Sequence, residues 1–339
     1  MTRLPSGDVT VRPAPSQPAL PQVDMSTSLG SFTAPNPVFT ASGCAAAGQE
    51  LAPFFDLSAL GGVVTKSVTL LPRSGRPTPR MAETPSGMLN SIGLQGPGID
   101  VFCERDLPWL AARGARAVVS IAGSSVEDYV ALARKVRGRA GLAMLEVNIS
   151  CPNVADRGTV FACDPRAAAR VVKAIHEHGN PGVPIFAKLS PDVTDIVAVA
   201  GAVVAAGADG LSMINTLLGL AIDSDTMRPV LAGVTGGLSG PAIRPVALRC
   251  VWQVHQAMPE VPILGMGGIR TGIDALEFVL AGASAVSVGT AVFGDPGAPV
   301  RVLRELQRAL ADRGFGRLTD AVGYAHRPAG YPSPAGEGR

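Results

Sequence analysis

Side chains able to do chemistry gather at Asn148-Ile149-Ser150-Cys151-Pro152-Asn153, where one thiol stands between two carboxamides. The run follows the apolar stretch Ala143-Met144-Leu145-Glu146-Val147, which a single carboxylate interrupts. It therefore reads as the end of a β-strand that delivers groups into a site. A strand that merely ended would more often run into Gly, Asp and Ser. Hydrogen bonds and nearby positive charge lower a thiol from its ordinary pKa of about 8.5, and the resulting thiolate can take a proton from carbon. Cys151 is the expected general base, with the residues after Pro152 forming a loop that closes on substrate and excludes water. The plainer alternative for an isolated cysteine is a small buried hydrophobe.

Lysine and asparagine are both scarce. The four Lys are at 66, 135, 173 and 188, and Arg supplies the other positive charges. Lys66 and Lys188 end apolar runs, where a compact ammonium has a use that a guanidinium does not. Lys66 can meet a substrate carboxylate, unless it is a surface or ion-paired residue. The six Asn are at 36, 90, 148, 153, 180 and 215. Asn90, Asn148, Asn153 and Asn215 fall at strand ends or in adjoining loops and offer neutral donors and acceptors. They suit a substrate with both N–H and C=O edges, such as an imide ring; each alone could equally be a cap or a turn.

Gly267-Gly268 and Gly289-Thr290 follow the seventh and eighth candidate strands, and Gly240 precedes a candidate helix. Backbone N–H groups of this kind can receive a phosphate. There is no Walker sequence and no GxGxxG in an opening βαβ unit, which favours flavin mononucleotide over ATP or NAD. Lys188 would then be a fixed cation at the N1/O2 edge of the ring, favouring hydride acceptance. Its alternative is an ion pair with a barrel carboxylate.

The elements that must position these groups are short apolar runs at 37–41, 61–66, 117–121, 143–148, 184–188, 209–214, 262–265 and 284–288. They do not alternate in polarity, as expected of strands buried on both faces. Helical periodicity occupies 125–137, 166–178, 193–206, 243–257, 272–281 and 298–312. The alternation predicts an α/β fold, a (β/α)8 TIM barrel with extended βα loops at 67–100 and 152–165. The expected organisation is a flexible Pro/Ser-rich extension over 1–24, one FMN-binding barrel domain over 25–327, and a loose tail over 328–339. In a barrel the C-terminal strand ends share one face, so all the residues above converge there.

A formal charge of +2 without basic runs argues against nucleic acid. No apolar stretch has the roughly 18–20 residues of a membrane span. Five Cys at 44, 103, 151, 163 and 250 form no paired spacing, and no Cys/His set has metal-ligand spacing. Reduced thiols in a cytoplasmic protein without a bound metal are expected. Cys103 and Cys250 lie in helix-like runs and read as structural.

Several segments resemble the class 1 dihydroorotate dehydrogenases: Ala41-Ser42-Gly43-Cys44, Thr65-Lys66-Ser67, Asn90 through Gln95, Asn148 through Asn153, Lys188-Leu189-Ser190-Pro191 and Ile214-Asn215-Thr216. Gly236 through Pro241 and Gly265-Met266-Gly267-Gly268 extend the likeness, which runs from about Leu29 to Thr319. The resemblance implies that Ser42, Lys66, Ser67, Asn148, Lys188, Ile214, Gly240, Gly267, Gly268, Gly289 and Thr290 hold FMN. It implies that Lys66, Asn90, Ser91, Ile92, Gly93, Leu94, Asn148, Asn153, Asn215 and Thr216 hold dihydroorotate. Cys151 would take the carbon-5 proton while hydride leaves carbon 6. Class 2 members carry Ser at the base position, so Cys151 speaks against a membrane-bound, quinone-reducing enzyme.

Asn90 through Gln95 and the Lys188 segment look closest to the B type, which passes electrons to NAD through a partner subunit carrying FAD and an iron–sulfur cluster. A homodimer or heterotetramer is then expected. Two positions depart from the pattern: Ser120 stands where the family usually has Asn, and Gly96 where B-type members often have Asn. The rival readings are a dihydropyrimidine dehydrogenase-like enzyme, a flavin-free phosphate-binding lyase or isomerase, and a non-enzymatic binding barrel.

Overall fold

The computed structural model describes residues 22–149 and 164–328, together with Pro334. Eight parallel strands form one sheet: β1 (Val38–Thr40), β2 (Val63–Val64), β3 (Ala117–Ile121), β4 (Leu142–Asn148), β5 (Ile185–Leu189), β6 (Gly210–Met213), β7 (Ile263–Met266) and β8 (Ala285–Val288). Their order is β1-β8-β7-β6-β5-β4-β3-β2. The two ends of that order also meet. The N–H of Gly61 donates to the Val38 carbonyl at 2.8 Å, and that of Thr40 to the Gly62 carbonyl at 3.4 Å. These bonds close the barrel expected from the sequence.

Helices pack outside the strands. They are α1 (99–111), α2 (Val126–Val136), α3 (Pro165–Ala174), α4 (Ile196–Ala205), α5 (Arg244–Ala257), α6 (Gly272–Leu280) and α7 (Ala298–Ala311). Side-chain caps start several of them: Ser125 accepts from Asp128 N–H, Asp195 from Ala198 N–H, and Thr271 with Asp274 forms a reciprocal capping box. Six of the seven lie within three residues of the bounds expected from periodicity, apart from a π-helical turn at Ile175–Gly179 that continues α3. The exception is α1, which passes through a π-helical turn at Phe102–Asp106. Such a turn shifts the face presented to the core, so no single 3.6-residue period describes the segment.

Inside the barrel the strands build layers. Phe39, Val64, Val118, Met144, Phe186 and Leu264 form an apolar layer, joined by Leu29 and Ala34 of the hairpin Thr27–Leu29/Phe32–Ala34. Two residues further along, β3, β4, β5, β6 and β8 present buried polar side chains, Ser120, Glu146, Lys188, Ser212 and Ser287, while β7 presents Met266. Above that layer lie the strand ends. The interior is thus apolar at one end and polar beneath the other.

The excursions after β2 and β6 meet in a four-stranded antiparallel sheet that sequence reading assigned to loop. Its order is Leu217–Leu220, Thr235–Ser239, Gly87–Asn90, Met81–Thr84. At the end of the expected extension, the N–H of Asp24 donates to the Gly316 carbonyl at 3.0 Å, and Leu318 N–H donates back to the Asp24 carbonyl. The rest of the expected extension, over 1–21, and nearly all of the expected tail lie outside the described residues. No helix among the described residues is long and apolar enough to cross a membrane, and no His/Cys/Asp/Glu group among them could hold a metal.

Phe186, fully buried at the barrel's apolar end, packs its ring against Gly210. Phe186→Ala should lower the unfolding free energy by about 3–5 kcal/mol, the range for truncating a core aromatic. Denaturant titration checks this, and a loss below about 1 kcal/mol would mean that the layer collapses to fill the gap.

Candidate active site

A cavity of about 1080 Å³ opens over the C-terminal ends of the strands. The polar residues expected there are delivered by five different strand ends. Ser42 follows β1, Lys66 and Ser67 follow β2, Asn148 ends β4, Lys188 lies in β5, and Ile214, Asn215 and Thr216 follow β6. Four of these side chains form a continuous hydrogen-bonded chain. The Ser42 and Ser67 hydroxyls are 3.4 Å apart, Asn148 Nδ2 donates to Ser67 Oγ at 3.0 Å, and Asn215 Nδ2 approaches Asn148 Oδ1 at 3.5 Å. The Tyr129 hydroxyl, from α2, donates to the Asn148 carbonyl at 2.8 Å and fixes that strand end.

Ser120, the departure on β3, is fully buried, and its hydroxyl lies 2.9 Å from that of Ser67. It braces a cavity residue from behind. Gly96, the other departure, exchanges backbone hydrogen bonds with Arg73.

At one end of the cavity three turns converge. Gly240, Gly267, Gly268, Gly289 and Thr290 all line it. Gly240 and Gly268 have φ of +92° and +78°, which favour glycine. A Cβ on Gly268 would lie 2.7 Å from the Gly240 carbonyl oxygen, so the two turns touch with no room for a side chain. Thr290 Oγ1 donates to Ser239 Oγ at 2.8 Å, tying the third turn to the same place. Exposed backbone N–H groups on such turns suit an anion.

The antiparallel sheet walls one side and reaches the Gly240 turn, where Gly240 and Gly87 touch. Asn90 Nδ2 donates to the Gly237 carbonyl at 3.3 Å, and Thr216 packs directly on Gly237. Ile92, Gly93 and Leu94 line the cavity next to Asn90. Ser91 does not. It is buried, and its hydroxyl accepts from Arg76 Nη1 at 3.3 Å. Arg76 and Arg80 line the same wall without having been singled out as site residues, although both stood in the Arg/Pro-rich loop. Arg80 bonds Gln95 and the Arg76 carbonyl.

The two strand-end lysines reach one cavity, whereas Lys135 and Lys173 make ion pairs with Asp100 and Glu177 on the outside. Lys188 is 4% exposed, and its Nζ lies 3.7 Å from Glu146 Oε1. The ion pair expected as an alternative is therefore present, on a lysine that also lines the cavity. Glu146 was overlooked, though a carboxylate within an apolar strand run is itself a signal. Cys44 also lines the cavity; burial pushes its thiol up to about 11 against the opposing pull of Lys188 and Lys66. It stays protonated at neutral pH and cannot serve as a base. Cys103 and Cys250 are buried in the core. Cys151, Asn153 and Cys163 lie outside the described residues.

The model of the dihydroorotate dehydrogenase family matches residues 25–310. A protein of Desulforudis audaxviator (strain MP104C) is 50% identical over 309 residues, covering 91% of this chain and all of its own length. A protein of Geobacter sp. (strain M21) is 51% identical over 300 residues, covering 88% of this chain and 97% of its own. One of Geobacillus kaustophilus (strain HTA426) is 49% identical over 299 residues, covering 88% and 95%. Each carries the name dihydroorotate dehydrogenase B (NAD(+)), catalytic subunit.

The Cys44 thiol should be alkylated about a hundredfold more slowly than a free cysteine at pH 8, because each unit of pKa costs a factor of ten in thiolate. Its rate should keep rising towards pH 11. Mass spectrometry of the Cys44 peptide over a pH series measures this, and a plateau by pH 9 would contradict it.

Proposed function

The chain belongs to the dihydroorotate dehydrogenase family, and we propose that it is the catalytic subunit of a B-type enzyme, oxidising dihydroorotate to orotate in pyrimidine biosynthesis with FMN as cofactor. What carries the reading is the convergence of Lys66, Lys188, Asn148 and Asn215 with the glycine turns on one cavity. The residues present fit the cofactor. The touching turns of Gly240 and Gly268, with Gly267, Gly289 and Thr290, suit its phosphate, while Ser42, Lys66, Ser67, Asn148, Lys188 and Ile214 would hold the ring system. When bound, FMN accepts the hydride leaving carbon 6 of the substrate.

The chain's own residues do the remaining work. Lys188 would place a fixed positive charge at the ring edge where electron density accumulates. Lys66 would meet the substrate carboxylate, with the backbone from Asn90 through Leu94 closing on the same group. Asn90, Asn148, Asn153, Asn215 and Thr216 would match the N–H and C=O edges of the ring. Ser91 would contribute through its backbone, since its hydroxyl is engaged by Arg76. Cys151, three residues beyond the cavity-lining Asn148, would remove the carbon-5 proton. Cys44 is no rival for that task, because its thiol is held protonated.

The relatives' names point to NAD(+) and to a further subunit. We infer that electrons leave through a partner carrying FAD and an iron–sulfur cluster, in a cytoplasmic assembly built on a homodimer or heterotetramer.

The purified chain should be yellow with flavin absorbance, and anaerobic dihydroorotate should bleach it while dihydrouracil does not. A colourless protein, or equal bleaching by dihydrouracil, would overturn the reading. Fumarate-dependent turnover by the chain alone would move it from the B to the A type.

Cys151→Ala should keep its flavin but slow bleaching by roughly 10²–10⁴-fold, the usual contribution of a general base. Cys151→Ser should retain a little activity with its optimum at higher pH, since an alkoxide forms less readily than a thiolate. Stopped-flow absorbance over a pH series decides both, and an alanine variant as fast as wild type at neutral pH would remove Cys151 from the mechanism.

A further inference from the structure

Glu146 has no task in the mechanism above, yet it occupies an unusual place. It is fully buried in β4, and neither carboxylate oxygen has a hydrogen-bond partner among the described residues. Lys188 Nζ, 3.7 Å away, is its ionic neighbour. That distance is an ion pair's and exceeds hydrogen-bond length. A carboxylate or an ammonium stripped of water is costly alone, and each is tenable here through the other. The neighbouring strands offer only neutral groups at this level. Ser120 stands opposite Glu146 in the strand register and Ser212 opposite Lys188.

We propose that Glu146 is a positioning residue of the cavity floor: its carboxylate is the counter-charge that holds the Lys188 ammonium in place beneath the cofactor. The proposal rests on the reading of Lys188 as the flavin's cation. Among the described residues, the other titratable groups beside Lys188 cannot replace Glu146. Lys66 has the same sign, and Cys44, which feels both lysines, is neutral at working pH. From β7 and β8 the layer receives Met266 and Ser287, neither charged. Without the carboxylate, the buried ammonium has no counter-charge at this level and is no longer held at the ring. Glu146 thereby acts on the cofactor without touching it, through the placement of its neighbour.

The readout is the midpoint potential of the bound flavin at one pH, taken by spectroelectrochemistry on the flavin-loaded protein. An ammonium held at the ring favours the reduced form, so Lys188→Met should lower the potential. Glu146→Gln should lower it too, towards the Lys188→Met value, although loss of a negative charge by itself would raise it. An E146Q variant that folds, binds flavin and keeps or raises the wild-type potential overturns the proposal. If E146Q alone does not fold, the E146Q/K188M pair decides: recovery of fold and flavin supports charge pairing, and continued failure shows that Glu146 merely packs. A wild-type chain that takes up no flavin refutes the functional reading itself, and the floor role with it.

Discussion

Closure of the strand ring between β1 and β2 is the constraint on which everything else depends. The seam is short, and it is made by Gly61-Gly62 running beneath the Phe39 ring. A Cβ on Gly61 would lie 2.8 Å from the ring's Cε2, and one on Gly62 2.6 Å from Cε1. The absence of side chains there lets the two strands reach hydrogen-bonding distance while an aromatic ring fills the interior. Only a closed ring directs the ends of β2, β4, β5 and β6 to one mouth. Opened at this seam, Lys66 would belong to an edge rather than to a site.

The layering inside the ring settles the electrostatics. An apolar layer at the far end excludes water, so the Lys188–Glu146 pair sits in a poor solvent for charge. Around it the hydroxyls of Ser42 and Ser67 and the amides of Asn148 and Asn215 join successive strand ends. Ser67 is held from two sides, by Asn148 and by Ser120. A site made from groups that brace one another across strands is pre-organised by the same hydrogen bonds that orient it.

How much of this was legible in the sequence depended on the range of the signal. Strands buried on both faces announce themselves as unbroken apolar runs, and their ends then identify Lys66, Asn148 and Lys188 without further help. The scarcity of lysine separated the two cavity residues from the two outer ones. The helices from α2 to α7 were found to within three residues of their starts, with or without a side-chain cap. The segment of α1 was missed because a π-helical turn breaks its period. The antiparallel wall was missed because its strands pair Asn90 with Gly237, a partnership between distant segments that no local pattern contains. Ser91 shows a different limit. Neighbours in a motif need not share a direction, and its hydroxyl turns to Arg76 while Asn90 and Ile92 border the cavity.

That wall has a consequence for how the molecule can change over generations. It is stitched from one excursion after β2 and another after β6, and Asn90 is paired with Met81 on one side and Gly237 on the other. Adding or deleting a single residue in either excursion flips every side chain of that strand to the opposite face. The two segments must therefore drift in concert, each acting as the gauge of the other's length.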